Sequence, residues 1–208
     1  IIPNSRYLNL FPDSSFKPFN GKTVYFSNMK TCSKVNTILA ATAVVGIAIY
    51  LSSCATIPEG AKAVKPFKKE KYLGKWYEIA RMDFKFERNL SQVTATYSLQ
   101  NDGTIKVANR GYNAIKNEWK ESVGKAKFVG RDTEAKLKVS FFGPFYSGYN
   151  VIAIDPDYKY ALVAGKSLKY LWILSRERTI PGDIKQDYLE KAEELGYNTG
   201  KLVWTKQD

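Results

Sequence analysis

The feature that most constrains the fold of this chain is a series of segments in which apolar and polar residues alternate, running from Tyr72 almost to the C-terminus. Residues 93–100, VTATYSLQ, show the pattern most clearly. Alternation with a period of two places the apolar side chains on one face of a β-strand. The Asn-Asp-Gly-Thr sequence that follows suits the positive φ angles of a tight hairpin turn. The pattern therefore predicts antiparallel strands joined by short turns.

Eight segments of this kind follow one another, with turn residues between them. They are residues 74–81, 93–100, 105–113, 118–130, 135–142, 149–155, 160–165 and 170–176. Eight meandering strands close into a barrel, which removes exposed sheet edges and leaves room inside for side chains or one small ligand. An eight-stranded membrane barrel is the competing architecture. It would need a uniformly apolar outer face, whereas lysines such as Lys125, Lys127 and Lys138 alternate along the strands.

The pattern changes after the eighth strand. Pro181 suits the first turn of a helix, and Gly196 suits its end. Between them lies an apolar stripe with helical spacing, formed by Ile184, Tyr188, Leu189, Ala192 and Leu195. Residues 201–206 then form a short final strand. The predicted fold class is mostly β: an eight-stranded antiparallel up-and-down barrel with one C-terminal α-helix and a short last strand.

The first 53 residues have a different character. Residues 1–28 show neither strand nor helix periodicity and precede the first methionine, Met29, so they are interpreted as a non-native or disordered extension. From Met29 onward, lysines are followed by a 14-residue apolar core, residues 37–50. This core is short for a membrane-spanning helix, which needs about 20 apolar residues. Residues 29–53 are therefore predicted to be a signal peptide.

Cys54 explains the end of this segment. Leu-Ser-Ser-Cys resembles the bacterial lipobox, in which the cysteine thiol receives the lipid and becomes the first residue of the mature chain. Cys54 is thus the predicted lipid anchor, held in outer-membrane lipid by several acyl chains. Ala55, rather than an aspartate, follows Cys54, which by resemblance to lipoprotein sorting indicates the outer membrane, with the domain facing the periplasm. Residues 54–70 are predicted to be a tether and residues 71–208 the barrel domain.

Two compositional facts exclude several chemistries. The chain has no histidine, which excludes His-based catalytic triads and His-containing metal sites. Its second cysteine, Cys32, lies within the predicted signal peptide, so the mature chain has no internal disulfide. The net charge is +12, but the basic residues are spread along strands without a nucleic-acid-binding motif. We therefore expect no metal, no cofactor and no nucleic-acid partner.

The barrel also resembles a known family. Gly74-Lys75-Trp76-Tyr77 is similar to the Gly-x-Trp-Tyr signature of the lipocalins, and Arg176 is similar to their late arginine. The ordered segments over residues 72–206 resemble bacterial outer-membrane lipoprotein lipocalins. The resemblance implies that Gly74, Trp76, Tyr77 and Arg176 close one end of the barrel. Arg176 is then expected to lie across the ring of Trp76, as a structural rather than a catalytic contact.

The resemblance further implies a carrier of hydrophobic lipids, fatty acids or lysophospholipids, that serves membrane maintenance. The inward side chains predicted to bind the ligand are Tyr97, Leu99, Val107, Phe141, Val151 and Trp172. Lys85 and Arg88, after the first strand, are candidates to meet an anionic head group. A homodimer is left open.

Two other functions compete with the carrier. A structural surface lipoprotein would have the same barrel with its interior filled. An enzyme on a lipocalin fold would need catalytic groups, but the chain lacks histidine and a Gly-x-Ser-x-Gly nucleophile elbow. The sequence therefore predicts a binding protein and not an enzyme.

Overall fold

The computed structural model describes residues 56–208. The predicted extension 1–28, the predicted signal peptide 29–53 and Cys54 lie outside the described residues. The elements within 56–208 are α1 (Lys69–Tyr72), β1 (Gly74–Met82), β2 (Leu90–Leu99), β3 (Ile105–Asn113), β4 (Glu118–Phe128), β5 (Lys136–Phe142), β6 (Phe145–Ile154), β7 (Tyr160–Ala164), β8 (Leu171–Ser175), α2 (Gly182–Glu194), a 3-10 turn (Thr199–Lys201) and β9 (Leu202–Trp204). Neither helix of this part of the chain is long and apolar enough to cross a bilayer.

The first eight strands form a closed antiparallel barrel. Each strand pairs with its successor, and β1 pairs with both β2 and β8. The ninth strand adds to the edge of β1 at Ala80–Met82. The predicted fold class is confirmed, including the C-terminal helix and the short last strand.

Two hydrophobic clusters hold the domain together. The inner cluster lies inside the barrel and includes Trp76, Tyr97, Val107 and Val151. The outer cluster lies between α2 and the barrel wall, and all five residues of the predicted helical stripe belong to it. Burial of this apolar stripe stabilises the helix on the wall. Among the described residues, both clusters are formed by residues 64–202, and residues 56–208 contain every strand of the closed barrel, so we expect this segment to fold on its own.

Successive strands run in opposite directions, so their connecting loops lie at two opposite ends of the barrel. The end where β1 begins carries α1 and Trp76 and is called the closed end. The other end, where β1 finishes, is called the open end. Its loops are residues 83–89, 114–117, 143–144 and 165–170, and the closed-end loops are residues 100–104, 129–135 and 155–159.

The described part of the predicted tether packs along the barrel wall. The Val64 N–H donates to the Val151 carbonyl over 2.9 Å, and the Phe67 N–H donates to the Thr133 carbonyl over 2.9 Å. The Phe67 side chain is buried in the inner cluster at the closed end. Residues 64–67 are therefore part of the folded domain.

The structure differs from the sequence expectation at the turn between β5 and β6. Residues 143–148 read as a break in the pattern, but the turn contains only Gly143 and Pro144. Strand β6 begins at Phe145, and Ser147 already pairs with Val139 of β5. Backbone pairing with β5 holds Phe145, Ser147 and Gly148 in extended conformation.

Candidate ligand-binding site

The closed end is sealed by Trp76. Its indole is fully buried, and Nε1 donates to the Tyr72 carbonyl over 2.8 Å. The Arg176 guanidinium lies 3.9 Å from the centroid of the Trp76 ring. Arg176 also donates to the backbone carbonyls of Lys75 and Leu73 over 2.7 and 2.8 Å. This cation–π contact, together with the hydrogen bonds, ties β8 to the start of β1 and closes the barrel.

Three tyrosine hydroxyls meet above this seal. The Tyr149 hydroxyl lies 2.6 Å from that of Tyr72 and 2.7 Å from that of Tyr97. Burial raises the pKa of all three phenols, so they stay protonated. Three O–H groups share two hydrogen bonds, which leaves one donor for another acceptor in the interior. These rings and hydroxyls form the floor of the space above.

Small side chains line the wall above the floor on β2–β4. Cross-strand register places Ala95, Asn109 and Ser122 side by side. On β4, a Cβ atom added to Gly124 would lie 2.8 Å from the ring of Phe141. The Phe141 ring therefore lies across Gly124, and a larger residue at Gly124 would push that ring into the interior.

The upper interior is lined by partly buried side chains. Val139, Phe141, Tyr149 and Trp172 pack against the inner cluster, and part of each remains accessible. Phe141 also borders a groove with Phe142 and Tyr146. An apolar ligand that enters from the open end can therefore contact these four side chains.

The 83–89 loop lies over part of the mouth. The Phe84 ring packs edge-on against Trp172 and Tyr170, with ring centroids 5.7 Å apart in both pairs. The Trp172 Nε1 donates to Glu87 Oε2 over 3.1 Å. Aromatic packing and this hydrogen bond hold the loop close to the entrance.

Beneath the loop, the buried Glu78 and Arg81 form a charged cluster with Glu87, a partly buried residue of the loop itself. Arg81 Nη1 donates to Glu78 Oε1 over 2.6 Å, and Nη2 donates to the Glu87 carbonyl over 2.6 Å. The hydroxyl of Thr205 also donates to Glu78 Oε1. Burial and the neighbouring Glu78 carboxylate raise the pKa of Glu87 to about 8. Glu87 is therefore largely protonated at neutral pH, which relieves repulsion between the two carboxyl groups.

Two buried polar atoms near this space have no hydrogen-bond partner within the described residues. They are Arg81 Nε, a donor, and Asn109 Oδ1, an acceptor. The nearest Glu87 carboxylate oxygen is 3.9 Å from Arg81 Nε. Because an unsatisfied buried polar group costs about 1–3 kcal/mol, both atoms favour a bound polar group or water.

The six sequence-predicted ligand contacts fall in three places. Tyr97, Val107 and Val151 are fully buried in the inner cluster. Phe141 and Trp172 border the accessible upper interior. The sixth, Leu99, ends β2, is 47% exposed and borders a groove that also contains Lys106, Lys125 and Phe141. Leu99 therefore lies on the outer surface rather than in the inner cluster.

The other predicted residues have separate positions. Gly74 begins β1, and Tyr77 is half-buried there. Arg88 pairs with Asp83 over 2.8 Å within the loop, so its charge is already matched. Lys85 is exposed, with its Nζ 4.9 Å from the centroid of the Phe86 ring.

Sequence reasoning missed Arg81 and Glu87. Alternation that starts from the inward Trp76 predicts that Arg81 points outward. In the structure, however, the β1–β8 register shifts between Glu78 and Ala80. This bulge adds one residue and turns Arg81 inward. Glu87 lies in a loop, where periodicity carries no information.

Residues 56–208 contain no group of three or more Cys, Asp or Glu side chains placed to hold a metal ion. The site combines apolar side chains with a sealed floor, an aromatic mouth and a few polar groups. Its geometry is suited to holding an apolar molecule.

A barrel of this topology, closed by Trp76 and Arg176, is typical of the lipocalins. The family model described as a lipocalin-like domain matches residues 67–207. The chain therefore belongs to the lipocalin family. The outer membrane lipoprotein Blc of Escherichia coli K12 is 50% identical over 169 residues, which cover 81% of this chain and 96% of that protein. The Blc of Vibrio cholerae is 49% identical over 160 residues, covering 76% of this chain and 94% of the relative. The cockroach allergen Per a 4 shares the fold, with a TM-score of 0.58 and 20% identity over 74% of this chain and 96% of the allergen.

Proposed function

We propose that this protein is an outer-membrane lipoprotein that binds, stores or transports fatty acids or lysophospholipids for membrane maintenance. The observation that carries the proposal is that Phe141, Tyr149 and Trp172 pack against the inner cluster of the barrel and remain only partly buried. The family match and the names of the Blc relatives support it. The role is binding, with no catalytic residue assigned.

The apolar interior suits a hydrocarbon tail. Each buried methylene contributes about 0.8 kcal/mol, so a dozen contribute roughly 10 kcal/mol before the cost of ordering the ligand. The tail would contact Phe141, Val139 and Trp172 above the tyrosine floor. Tyr97 and Val151 would support that floor from below.

A polar head group would lie nearer the mouth. The unpartnered Arg81 Nε and Asn109 Oδ1 are available for hydrogen bonds to a carboxyl or phosphate group and to a hydroxyl. The exposed Lys85 adds positive charge at the entrance. Arg88 is the weaker candidate, because Asp83 already neutralises it.

The anchor of this proposed lipoprotein is Cys54. A matched span of 169 residues within 208 must begin at or before residue 40, so the similarity to the E. coli lipoprotein includes position 54. Residues 29–53 would be the signal peptide, residues 54–70 would join anchor and barrel, and residues 71–208 would form the binding domain. Residues 1–28 would lie outside the mature protein. Attachment to the inner leaflet of the outer membrane would leave the domain in the periplasm.

Ligand titration of a Trp172→Glu variant tests the binding site. A carboxylate at this position would lie in the apolar path of the tail and beside Glu87, so we expect affinity for a fatty acid or lysophospholipid to fall at least ~10-fold. Trp119→Glu is the matched control, because Trp119 is exposed on the outer wall. Equal affinity of the two variants, with both folded, would remove the interior from the binding site.

A further inference from the structure

The loops at the open end expose apolar side chains to solvent. Phe86, Ile115, Phe142 and Phe145 are between 62% and 79% exposed, and Leu168 is 41% exposed. These five residues belong to, or directly flank, the four open-end loops. The rings of Phe86 and Phe142, from different loops, lie 6.1 Å apart, so the apolar surface is continuous between the loops. Among the described residues at the closed-end turns, only Leu99 is comparably exposed.

The loops at the open end are also positively charged. They carry five cationic and two anionic residues, a net charge of +3. The cations are Lys85, Arg88, Lys116, Lys166 and Lys169. The raised pKa of the partly buried Glu87 makes this end more positive still at neutral pH. A surface with apolar tips and a lysine-rich rim matches an anionic lipid headgroup layer.

The path of the N-terminal segment leads to the same end. The Thr56 carbonyl accepts a hydrogen bond from Asn150 Nδ2 over 2.7 Å, and Asn150 pairs with Ala164 at the open end of β7. The Thr56 carbonyl also packs on Gly148, where an added Cβ would lie 1.8 Å from its oxygen. Lys166 of the 165–170 loop lies next to Gly148. From there the segment runs along the wall to Phe67 at the closed end.

Covalent geometry then limits how far the anchor can lie from the open end. Cys54 precedes Thr56 by two residues, and an extended chain spans at most ~3.6 Å per residue. The α-carbon of Cys54 is thus within about 7 Å of that of Thr56. An acylated Cys54 would enter the bilayer beside the open end. An anchor at the closed end would instead turn the mouth away from the bilayer.

We propose that the open end of the barrel is a docking surface for an anionic lipid bilayer, with the aromatic tips inserted among the headgroups and the mouth facing the membrane. The part of this inference that concerns Cys54 rests on the proposed function, but the surface itself does not. In this orientation a lipid could pass between bilayer and barrel without its tail crossing open water.

Depth-sensitive labelling of the described domain, residues 56–208, tests the orientation. This segment has no cysteine, so single cysteines can carry an environment-sensitive fluorophore. Ser167→Cys places the label in an open-end loop, and Asn101→Cys places it in a closed-end loop. With vesicles of phosphatidylcholine and phosphatidylglycerol we expect a blue shift of the open-end label alone, and a much weaker response with phosphatidylcholine alone. A response at both ends alike, or at neither, would overturn the proposal.

Partitioning of variants between buffer and vesicles is the second test of the docking surface. Phe142→Ser/Phe145→Ser should lower vesicle partitioning ~10-fold or more, because two large apolar contacts with the bilayer are lost. The control is Val123→Ser, which alters an exposed apolar residue on the outer wall and should change little. Undiminished partitioning of the double variant would contradict docking through these tips.

Acyl-ligand binding in the absence of vesicles separates the two proposals. A domain that binds ligand but does not dock would overturn the docking surface and leave the carrier function in place. A domain that docks but binds no ligand would overturn the carrier function and leave the docking surface in place. The Phe142→Ser/Phe145→Ser variant should keep its ligand affinity, which also shows that it is folded.

Discussion

At the residue scale, the least expected feature is the group Glu78, Arg81 and Glu87 inside an apolar barrel. Buried charges are costly unless they are paired and hydrogen-bonded. Arg81 meets this condition, since it donates to the Glu78 carboxylate, the Thr205 hydroxyl and the Glu87 carbonyl. The arginine thus fixes the 83–89 loop to the interior wall, and its polar cluster marks the boundary between tail space and mouth.

Protonation of Glu87 makes stability depend on pH. Its pKa is raised from 4.5 to about 8 in the folded protein. Between these values the folded state holds more protons than the unfolded state, so the free energy of unfolding should fall as pH rises from 5 to 8. Glu87→Gln removes this titration and can keep the acceptor for Trp172, so its unfolding free energy should vary less over that range.

Urea unfolding at pH 5, 6.5 and 8 measures this difference. Glu118→Gln, at an exposed position on β4, serves as the control and should keep the pH dependence of the unaltered protein. A slope that is unchanged in Glu87→Gln would show that Glu87 does not titrate in this window.

Residue orientation could be predicted only where alternation is unbroken. Trp172, Leu174 and Arg176 share a face of β8, and the structure places all three on the inner side. Arg81 was missed because the bulge in β1 reverses the alternation before it. The position of Leu99 follows the alternation of β2, but its exposure reflects its place at the strand end, which periodicity does not report.

At the element scale, the C-terminal segment completes the barrel wall. Strands β1 and β2 are paired from Gly74 to Tyr77 and then diverge. The segment after β9 fills the gap: the Thr205 N–H donates to the Ile79 carbonyl, and the Gln92 N–H donates to the Lys206 carbonyl. The side-chain amide of Gln207 spans the seam, because its Nε2 donates to the carbonyls of Glu78 and Val93 over 2.7 and 2.9 Å.

Loss of this bridge should weaken the open half of the barrel. Gln207→Ala leaves two carbonyl groups without their donor, at a cost of about 1–2 kcal/mol in the free energy of unfolding. Chemical denaturation gives this value, with Gln186→Ala on the exposed face of α2 as the control. A loss of stability no larger than that of the control would mean that backbone pairing alone closes the seam.

Strand existence was predictable, whereas strand ends and irregular segments were not. The eight strands are flanked by turn residues such as Asn101-Asp102-Gly103, which makes each one visible in the sequence. Strand β2 begins earlier than its pattern, because Gln92, at φ +50°, forms a bulge that breaks the alternation. The proline- and lysine-rich composition of residues 56–68 indicates a tether, and only tertiary contacts reveal that it packs on the wall.

Across the whole molecule, the two ends of the barrel differ in the side chains that they carry. The closed end combines a buried tryptophan, an arginine and tyrosine hydroxyls, which exclude water and hold the fold. The open end combines small inward residues, partly exposed aromatic side chains and a basic apolar rim. This difference between the closed and the open end suits the barrel to taking up a lipid from one direction.

Quenching by a nitroxide-labelled stearic acid tests whether a hydrocarbon tail occupies the upper interior beside Trp172. In a Trp119→Phe/Trp204→Phe background only Trp76, beneath the tyrosine floor, and Trp172 emit. We expect saturable quenching at one ligand per chain, and we expect it to disappear when Trp172 is also replaced by Phe. A folded protein whose Trp172 emission is unaffected at saturating ligand would contradict this expectation.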